Sequence, residues 1–265
     1  MSHVELRAIP DIPPVRPGDD LGTLILQALR KGGLSLQPGD ILAVAQKVVS
    51  KAEGQVVRLT DIKPSPRATE IGQSTGRDPR LVEAVLMESK EVLRATQRAL
   101  VVEQRLGVVC ANAGVDQSNV EGEEEWVTFL PKNPDASAKA LRKKILEETG
   151  VEAAILIVDT HGRAFRRGVV GVAIGAAGLI PLLDLRGEPD LFGRKLENTQ
   201  VAQADEVASA ASLVMGQGAE GTPVILVRGI RFKEGPEGAK ALFRPKEEDL
   251  FRGQGTVKEG DNDPR

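Results

Sequence analysis

The sequence predicts a fold that combines α-helices with buried β-strands, and three observations support this. Residues 20–31 carry an apolar stripe at helical spacing, formed by Leu21, Leu24, Ile25, Ala28 and Leu29. Residues 153–158 form a near-continuous apolar run, which is typical of a strand buried on both faces. Apolar residues make up 41% of the 265 residues, enough for one large domain or two modest ones with their own cores.

The first half of the chain alternates between these two kinds of element. The prolines of residues 1–20 predict an extended segment, and the helix over 20–31 ends at Gly32-Gly33. A turn then leads into a short buried strand over 41–45. Helical stretches follow at about 67–73 and from the N-cap pair Asp78-Pro79 through Glu91, and a strand is predicted over 106–110.

The second half has clearer boundaries. A helix begins at Asn133-Pro134 and ends at Gly150, and the buried strand over 153–158 follows. A glycine-punctuated apolar stretch covers 168–178, and an Ala-rich helix covers 199–215. A flexible loop over 216–221 leads to a last strand over 223–228, and we expect a disordered polar tail over 253–265.

Composition and charge exclude several classes of protein. The formal charge is −3 and no long basic block is present, which argues against nucleic acid as the main partner. The one cysteine, Cys110, cannot form an intrachain disulfide, which fits a reducing compartment. We find neither a signal peptide nor an apolar run of roughly 18 residues, so we expect a cytoplasmic protein without a membrane span.

Familiar catalytic and nucleotide-binding motifs are absent from the sequence. The only histidines are His3 and His161, so a His/Cys zinc site has almost no material. Neither a Gly-x-Ser-x-Gly elbow nor a Gly-x-x-x-x-Gly-Lys-Ser/Thr loop is present, and no Gly-x-Gly-x-x-Gly turn follows a strand. Any nucleotide must therefore be bound in another way.

Oxygen ligands near strand ends are the first chemical candidates. Asp159-Thr160 follows the buried strand, and a carboxylate beside a hydroxyl suits Mg²⁺ or Mn²⁺ that bridge substrate phosphates. The alternative is a strand-end aspartate that forms a turn with Gly162. Asp116 and Asn119 lie in a second loop, where they could bind a metal and a phosphate or sugar, or simply form an Asx-rich connection.

Cationic and glycine-rich segments could complete a phosphate site. Arg163, Arg166 and Arg167 follow Asp159 and suit a polyanionic substrate, or they form a solvated charged turn. Lys47 and Lys51 are candidate phosphate-neutralising cations or ordinary surface lysines. The glycines over 216–221 could wrap a phosphate with backbone N–H groups or form a plain turn, and Cys110 is interpreted as a packed apolar residue.

These segments together resemble the coenzyme F420-0:gamma-glutamyl ligase family, which extends the deazaflavin coenzyme F420 with glutamate. The resemblance spans roughly residues 5–250, and its motifs occur in the family's order at 39–45, 48–54, 112–119, 130–135, 159–168, 171–175 and 204–229. It implies an α+β fold of two intimately joined domains with mixed sheets in one ligase unit over 1–252. It further implies an intertwined homodimer, GTP as nucleotide and two divalent ions, Mg²⁺ or Mn²⁺, with K⁺ as a further candidate.

The resemblance also assigns roles residue by residue. The metal ligands would be Asp116, Asp159, Thr160 and Gln217, with Asp116, Asp159 and Lys51 as the catalytic residues. The GTP contacts would be Pro10, Asp11, Ile12, Pro13, Gln46, Lys47, Lys51, Asn119, Met215, Gly216, Gln217, Gly218, Ala219, Glu220, Gly221 and Thr222. Gln217 is an amide, which is a weaker ligand than a carboxylate, so we expect weaker binding of the second ion.

The implied reaction is GTP-dependent attachment of L-glutamate to the carboxylate of F420-0 through an acyl phosphate, with Glu206 as a candidate base for the amine. A glutamyl ligase acting on another acidic acceptor, such as a folate-like pterin, is the nearest alternative. A non-catalytic nucleotide- or metal-binding protein and a kinase or phosphatase on a small acid are the others.

Overall fold

The computed structural model describes residues 3–117 and 125–249. Its helices are α1 (Leu21–Lys31), α2 (Gln46–Ala52), α3 (Pro66–Thr75), α4 (Pro79–Met87), α5 (Pro134–Thr149) and α6 (Gln203–Met215). Its strands are β1 (Glu5–Ala8), β2 (Ile41–Ala45), β3 (Val56–Arg58), β4 (Ser89–Ala95), β5 (Leu100–Gln104), β6 (Val109–Ala111), β7 (Trp126–Thr128), β8 (Ala154–Arg163), β9 (Arg166–Ala177), β10 (Leu183–Asp184), β11 (Gln200–Val201) and β12 (Val224–Arg228). Helices and mixed sheets make it an α+β fold.

The main sheet has five strands in the order β1-β12-β2-β8-β9. Adjacent strands in this sheet are antiparallel, except that β2 and β8 run parallel. Ile41 lies opposite Ala154, and Ala45 lies opposite Val158. Ile41, Leu42, Ala43 and Val44 are all fully buried, since both faces of this strand are covered. One face packs against α1, α2 and α5, and the other packs against α6.

Smaller sheets come from the segment between β2 and β8. Strands β4, β5 and β6 form an antiparallel sheet, and β3 pairs with β7. Two apolar clusters, separate from those of the main sheet, lie here around Val82 and Val102 and around Ile62 and Val127. The division into two domains and the intertwined dimer stay predictions.

The C-terminal ends of β1 and β2 lie at the same end of the main sheet. We call this border, which runs across the strand ends, the site edge. Strand β12 runs antiparallel to both of them and begins there, since Ile9 N–H donates to Val224 O and Ala45 N–H donates to Pro223 O at 2.9 and 2.8 Å. Residues 10–13, helix α2 and the loop before β12 therefore all leave the sheet at this edge.

The strongest sequence predictions are confirmed. Helix α1 begins after the N-cap Asp20, whose carboxylate accepts from Thr23 N–H at 3.0 Å. Helix α5 lies between the N-cap Asn133 and Gly150, which takes a left-handed conformation with φ 70°. Strands β2 and β12, helix α3 and the extended course of residues 3–20 also match, whereas the tail lies outside the described residues.

Two predictions between residues 78 and 111 are wrong in part. The helix that starts at Asp78 ends at Met87 rather than Glu91, because Ser89–Ala95 pairs with β5 and its Val92 packs onto an apolar cluster. The single strand predicted over 106–110 is a turn followed by β6. Gly107 has φ 102°, which lies outside the strand region.

Two further predictions are wrong at their boundaries. The Ala-rich helix begins at Gln203 rather than Thr199, because Gln200 and Val201 pair with β10. Strand β8 continues to Arg163, so the turn between Asp159 and Gly162 does not form. Gly162 instead pairs with Val169 of β9.

Within the described ranges, none of the helices combines the length and apolar character needed to cross a lipid bilayer. The cytoplasmic location stays a prediction.

Candidate functional site

Lys47 and Asp116 join two distant segments at the site edge. The Lys47 ammonium lies 2.9 Å from Asp116 Oδ2, and the side chains are 20% and 37% exposed. Lys47 is the second residue of α2, directly after β2. Asp116 is fixed through its backbone, since its N–H and C=O both bond to Thr128, at 3.1 and 2.8 Å. A half-exposed ion pair of this kind can exchange partners with a charged ligand.

Asp159 lies in β8, one residue beyond Val158, where the parallel pairing with Ala45 ends. Its Oδ2 is 2.8 Å from His161 Nε2, as expected for residues i and i+2 on one face of a strand. Burial, together with the Asp159 charge, raises the pKa of the Cys110 thiol to about 12. Cys110 is therefore a buried, protonated residue, which confirms its interpretation as a packing side chain.

Thr160 connects β8 with the loop that follows α6. Its hydroxyl donates to Gln217 Oε1 at 3.1 Å. Two of the four predicted metal ligands are thus in direct contact, although they lie far apart in the sequence. The other two, Asp116 and Asp159, have different partners, since Asp116 pairs with Lys47 and Asp159 with His161.

The loop over 216–222 is organised around a carboxylate. Gly218 N–H donates to Glu220 Oε2 at 2.7 Å, and backbone donors of Glu220, Gly218 and Gln217 lower the pKa of Glu220. The Thr222 hydroxyl closes the loop on Met215 O at 2.9 Å. The N–H groups of this loop therefore converge on an oxyanion, which is the geometry expected of a phosphate-binding turn.

The remaining predicted nucleotide contacts lie in two places. Gln46 is buried and accepts from the Ser50 hydroxyl at 2.9 Å, while Lys51 lies one turn beyond Lys47 on the same helix. Residues 10–13 follow β1, and the Asp11 carboxylate there is 3.0 Å from Lys31 Nζ. Asn119 lies outside the described residues.

The donor set can be tested against a divalent cation. Two carboxylates, a hydroxyl and an amide oxygen are hard ligands that suit Mg²⁺ or Mn²⁺ rather than zinc. Across residues 3–117 and 125–249, no three His, Cys, Asp or Glu side chains are grouped closely enough to hold a metal by themselves. Mg²⁺ sites in proteins commonly use one or two carboxylates and are completed by substrate phosphates.

Two nearby residues were not singled out by the sequence. His161 was passed over as a lone histidine, yet the strand alternation i, i+2 could have paired it with Asp159. Asp205 Oδ1 accepts from Ala173 N–H at 2.8 Å, and burial raises the pKa of this carboxyl. Only the packing of α6 on β9 reveals Asp205, since helix periodicity alone gives no sign of it.

The three arginines predicted for a polyanionic ligand lie at the tip of the β8–β9 hairpin. Arg163, Arg166 and Arg167 are exposed there, and Arg163 Nη2 donates to Arg167 O at 3.3 Å. They lie on strand β8, which also carries Asp159 and Thr160, and on its partner β9, beyond the point where the pairing of β8 with β2 ends.

The fold is thus α+β, and carboxylates, lysines and a glycine-rich turn that binds a carboxylate follow its strands, an arrangement typical of enzymes that act on charged substrates. The chain belongs to the F420-0:gamma-glutamyl ligase family, whose model matches residues 10–229. It is similar to the coenzyme F420:L-glutamate ligase of Methanothermobacter thermautotrophicus, with 50% identity over 94% of this chain and 99% of the relative.

Two further relatives carry the same description. The coenzyme F420:L-glutamate ligase of Methanopyrus kandleri is 48% identical over 90% of this chain and 93% of its own. That of Archaeoglobus fulgidus is 44% identical over 94% of this chain and 97% of its own. The resemblance seen in the sequence motifs is thereby confirmed.

Proposed function

We propose that the protein is a GTP-dependent ligase that joins L-glutamate through an amide bond to the carboxylate of coenzyme F420-0. Near-complete coverage of relatives described as coenzyme F420:L-glutamate ligases supports the substrates. The observation that supports the chemistry is a set of two separate contacts, Lys47 to Asp116 at 2.9 Å and Thr160 to Gln217 at 3.1 Å, which involve residues that follow the parallel pairing of β2 with β8.

The reaction proceeds in two balanced steps. A carboxylate oxygen of F420-0 attacks the γ-phosphorus of GTP, so that the bond to the β-phosphate oxygen breaks and GDP leaves with an acyl phosphate formed. The glutamate amine then attacks the acyl carbon, and inorganic phosphate leaves as the amide forms. The ammonium group of glutamate loses two protons in all, one to become the attacking amine and one as the amide forms. Glu206 is the candidate acceptor of the first, and the leaving phosphate takes the second.

Binding and charge neutralisation are the protein's part in the first step. Lys47 and Lys51 neutralise the phosphates, and the N–H groups of the 216–222 loop bind them in place of the Glu220 carboxylate. Residues 10–13, Gln46 and Asn119 position the nucleotide. Because the transition state of phosphoryl transfer is stabilised by position and charge, these contacts account for catalysis without a protein nucleophile.

Asp116, Asp159, Thr160 and Gln217 would hold two Mg²⁺ or Mn²⁺ ions. When bound, such ions offset the negative charge of the triphosphate. For this, Lys47 must move from Asp116 toward a phosphate, an exchange that the partial exposure of both side chains permits.

We also propose that the protein forms a homodimer. Phe165 at the β8–β9 turn, Leu191, Phe192 and Leu213 are each more than four-fifths exposed. Large apolar side chains exposed to this degree are typical of surfaces that pack against another chain. Light scattering after size-exclusion chromatography tests this proposal, and a monomer at micromolar concentration would contradict it.

Mass spectrometry of the products tests the proposed reaction. F420-0 is incubated with the protein, L-glutamate, GTP and Mn²⁺, and a mass gain of one or more glutamyl units is expected. Product formed only with a pterin acceptor would indicate the alternative ligase. Phosphate release without any amide would indicate a kinase or phosphatase, and no turnover would indicate a binding protein.

A further inference from the structure

A second concave surface lies beside the site edge. It is an open cleft of about 690 Å³ between the outer edge of β9, the first turns of α6 and strand β11. Val170, Val172 and Val201 contribute an apolar part of its lining. Arg163, Glu206 and Ser209 contribute polar groups, and Asp205 lies beside them. None of the nucleotide contacts proposed above lies in this cleft.

The cleft adjoins the reacting groups through the register of β8 and β9. Val172 pairs with Asp159 and Val170 pairs with His161, so one strand separates the cleft from the predicted metal ligands. Adjacent strands lie about 4.8 Å apart, which is within the reach of a small bound molecule. The Ser209 hydroxyl donates to Gly171 O at 2.7 Å and fixes α6 against this edge.

The charges of the cleft define what it can bind. Arg163 provides a guanidinium that uses one of its five N–H donors on Arg167 O. Glu206 is exposed on α6 and provides a carboxylate, whereas one oxygen of Asp205 is already bonded to Ala173 N–H. The first N–H groups of α6 do not add positive charge, since those of Ala204, Asp205 and Glu206 donate to backbone carbonyls.

We propose that this cleft binds the amino-acid substrate, with Arg163 binding a carboxylate of L-glutamate and Glu206 binding its α-ammonium group. This inference rests on the proposed function, since it assigns the second substrate of that reaction. A guanidinium and a carboxylate in one small cleft match a zwitterion. The alternative occupant, a phosphate-bearing acceptor, is disfavoured because it does not offer Glu206 a cationic partner such as the ammonium group of L-glutamate.

The two variants Arg163→Gln and Glu206→Gln test the assignment. Arg30→Gln on α1 and Glu147→Gln on α5 are matched controls, because both residues are exposed and lie on helices that do not line the cleft. Calorimetric titration of the full chain with L-glutamate measures binding directly. Steady-state kinetics with F420-0, GTP and Mn²⁺ give a separate KM for each substrate.

We expect each cleft variant to weaken glutamate binding and raise its KM by roughly tenfold or more, with the KM for GTP changed by less than about twofold. Both controls should match the unmodified protein. If the unmodified protein makes the amide while the cleft variants keep its glutamate affinity and KM, the assignment is wrong. A loss of kcat with unchanged glutamate KM would also overturn it.

The proposed function can fail separately from the cleft. An unmodified protein that binds L-glutamate in the calorimeter, with binding lost in Arg163→Gln, supports the cleft even if F420-0 gains no glutamyl unit. That result would contradict F420-0 as the acceptor and would support the cleft as the binding site of L-glutamate.

Discussion

Each end of the central strands carries an acid–base pair, and the two pairs differ in their exposure to water. At the site edge, Lys47 and Asp116 are partly exposed and 2.9 Å apart. At the opposite edge, Asp40 is 1% exposed and accepts two bonds from Arg228, both at 2.7 Å. Gln37 N–H also donates to Asp40, and Arg228 also donates to Ser35 O.

Under the proposed function, these similar side chains serve different purposes. Asp40 and Arg228 have their hydrogen-bonding groups occupied by the protein, so they hold the start of β2 to the end of β12. The pair at the site edge can exchange its partners for those of a ligand. An ion pair at a strand end is therefore a functional candidate where water reaches its carboxylate and a structural one where that carboxylate is buried.

The largest effect is expected for Asp159→Asn. Removing this charge takes away a proposed metal ligand, and turnover should fall more than about a hundredfold while the fold is retained. Release of GDP in the presence of F420-0 and glutamate measures the loss, and thermal unfolding checks the fold. Near-normal activity would remove Asp159 from the mechanism.

Asp40→Asn should act on stability instead. It leaves the Arg228 guanidinium without its charged partner, at a cost of about 2–3 kcal/mol, toward the low end for buried pairs because Arg228 is partly exposed. Urea unfolding measures this free energy. Unchanged stability, or a specific loss of GTP affinity in a fully folded variant, would contradict the assignment of a structural role to Asp40 and Arg228.

Lys47→Gln should show the reverse pattern. We expect the KM for GTP to rise by roughly tenfold, because a phosphate-neutralising charge is lost, while the free energy of unfolding changes by less than about 1 kcal/mol. Lys143→Gln, which removes a surface pair with Glu147 on α5, is the matched control. Equal effects of both variants on GTP binding would contradict the assignment.

The smallest effect concerns Cys110. A pKa raised to about 12 keeps its thiol protonated at pH 8, so alkylation of the folded protein should be slow at that pH. Its rate should still be rising at pH 10, where labelling of an ordinary cysteine has levelled off. Burial is the larger cause of this shift and the Asp159 charge the smaller one, so Asp159→Asn should accelerate labelling only severalfold. Rapid labelling of the unmodified protein at pH 8 would place Cys110 in a different environment.

The sequence predicted elements well where one local signal was strong. Asp20, Asn133 and Gly150 mark helix ends through their own side chain or backbone, and all three predictions are confirmed. It failed where pairing with a distant strand decides the structure. Ser89–Ala95 becomes a strand because β5 is available to it, and Gln200 and Val201 pair with β10 before α6 begins.

The candidate site shows the same limit. The resemblance to a known family predicted which residues belong to the candidate site. No local pattern in the sequence predicts the contacts between Lys47 and Asp116 or between Thr160 and Gln217. Those contacts depend on the strand order of the main sheet. Asp205 and the cleft along β9 depend on how α6 packs, which helix periodicity does not specify.

The parallel pairing of β2 with β8 has a consequence for biosynthesis. Strand β2 cannot pair with β8 until Ala154, which lies opposite Ile41, has been synthesised. The strand on the other side of β2 begins only at Val224. Contacts between such distant segments carry a large loop-closure entropy and form late. A chain emerging from the ribosome therefore contains Lys47 long before the site edge is complete, and C-terminal truncation before β12 should leave that edge unformed.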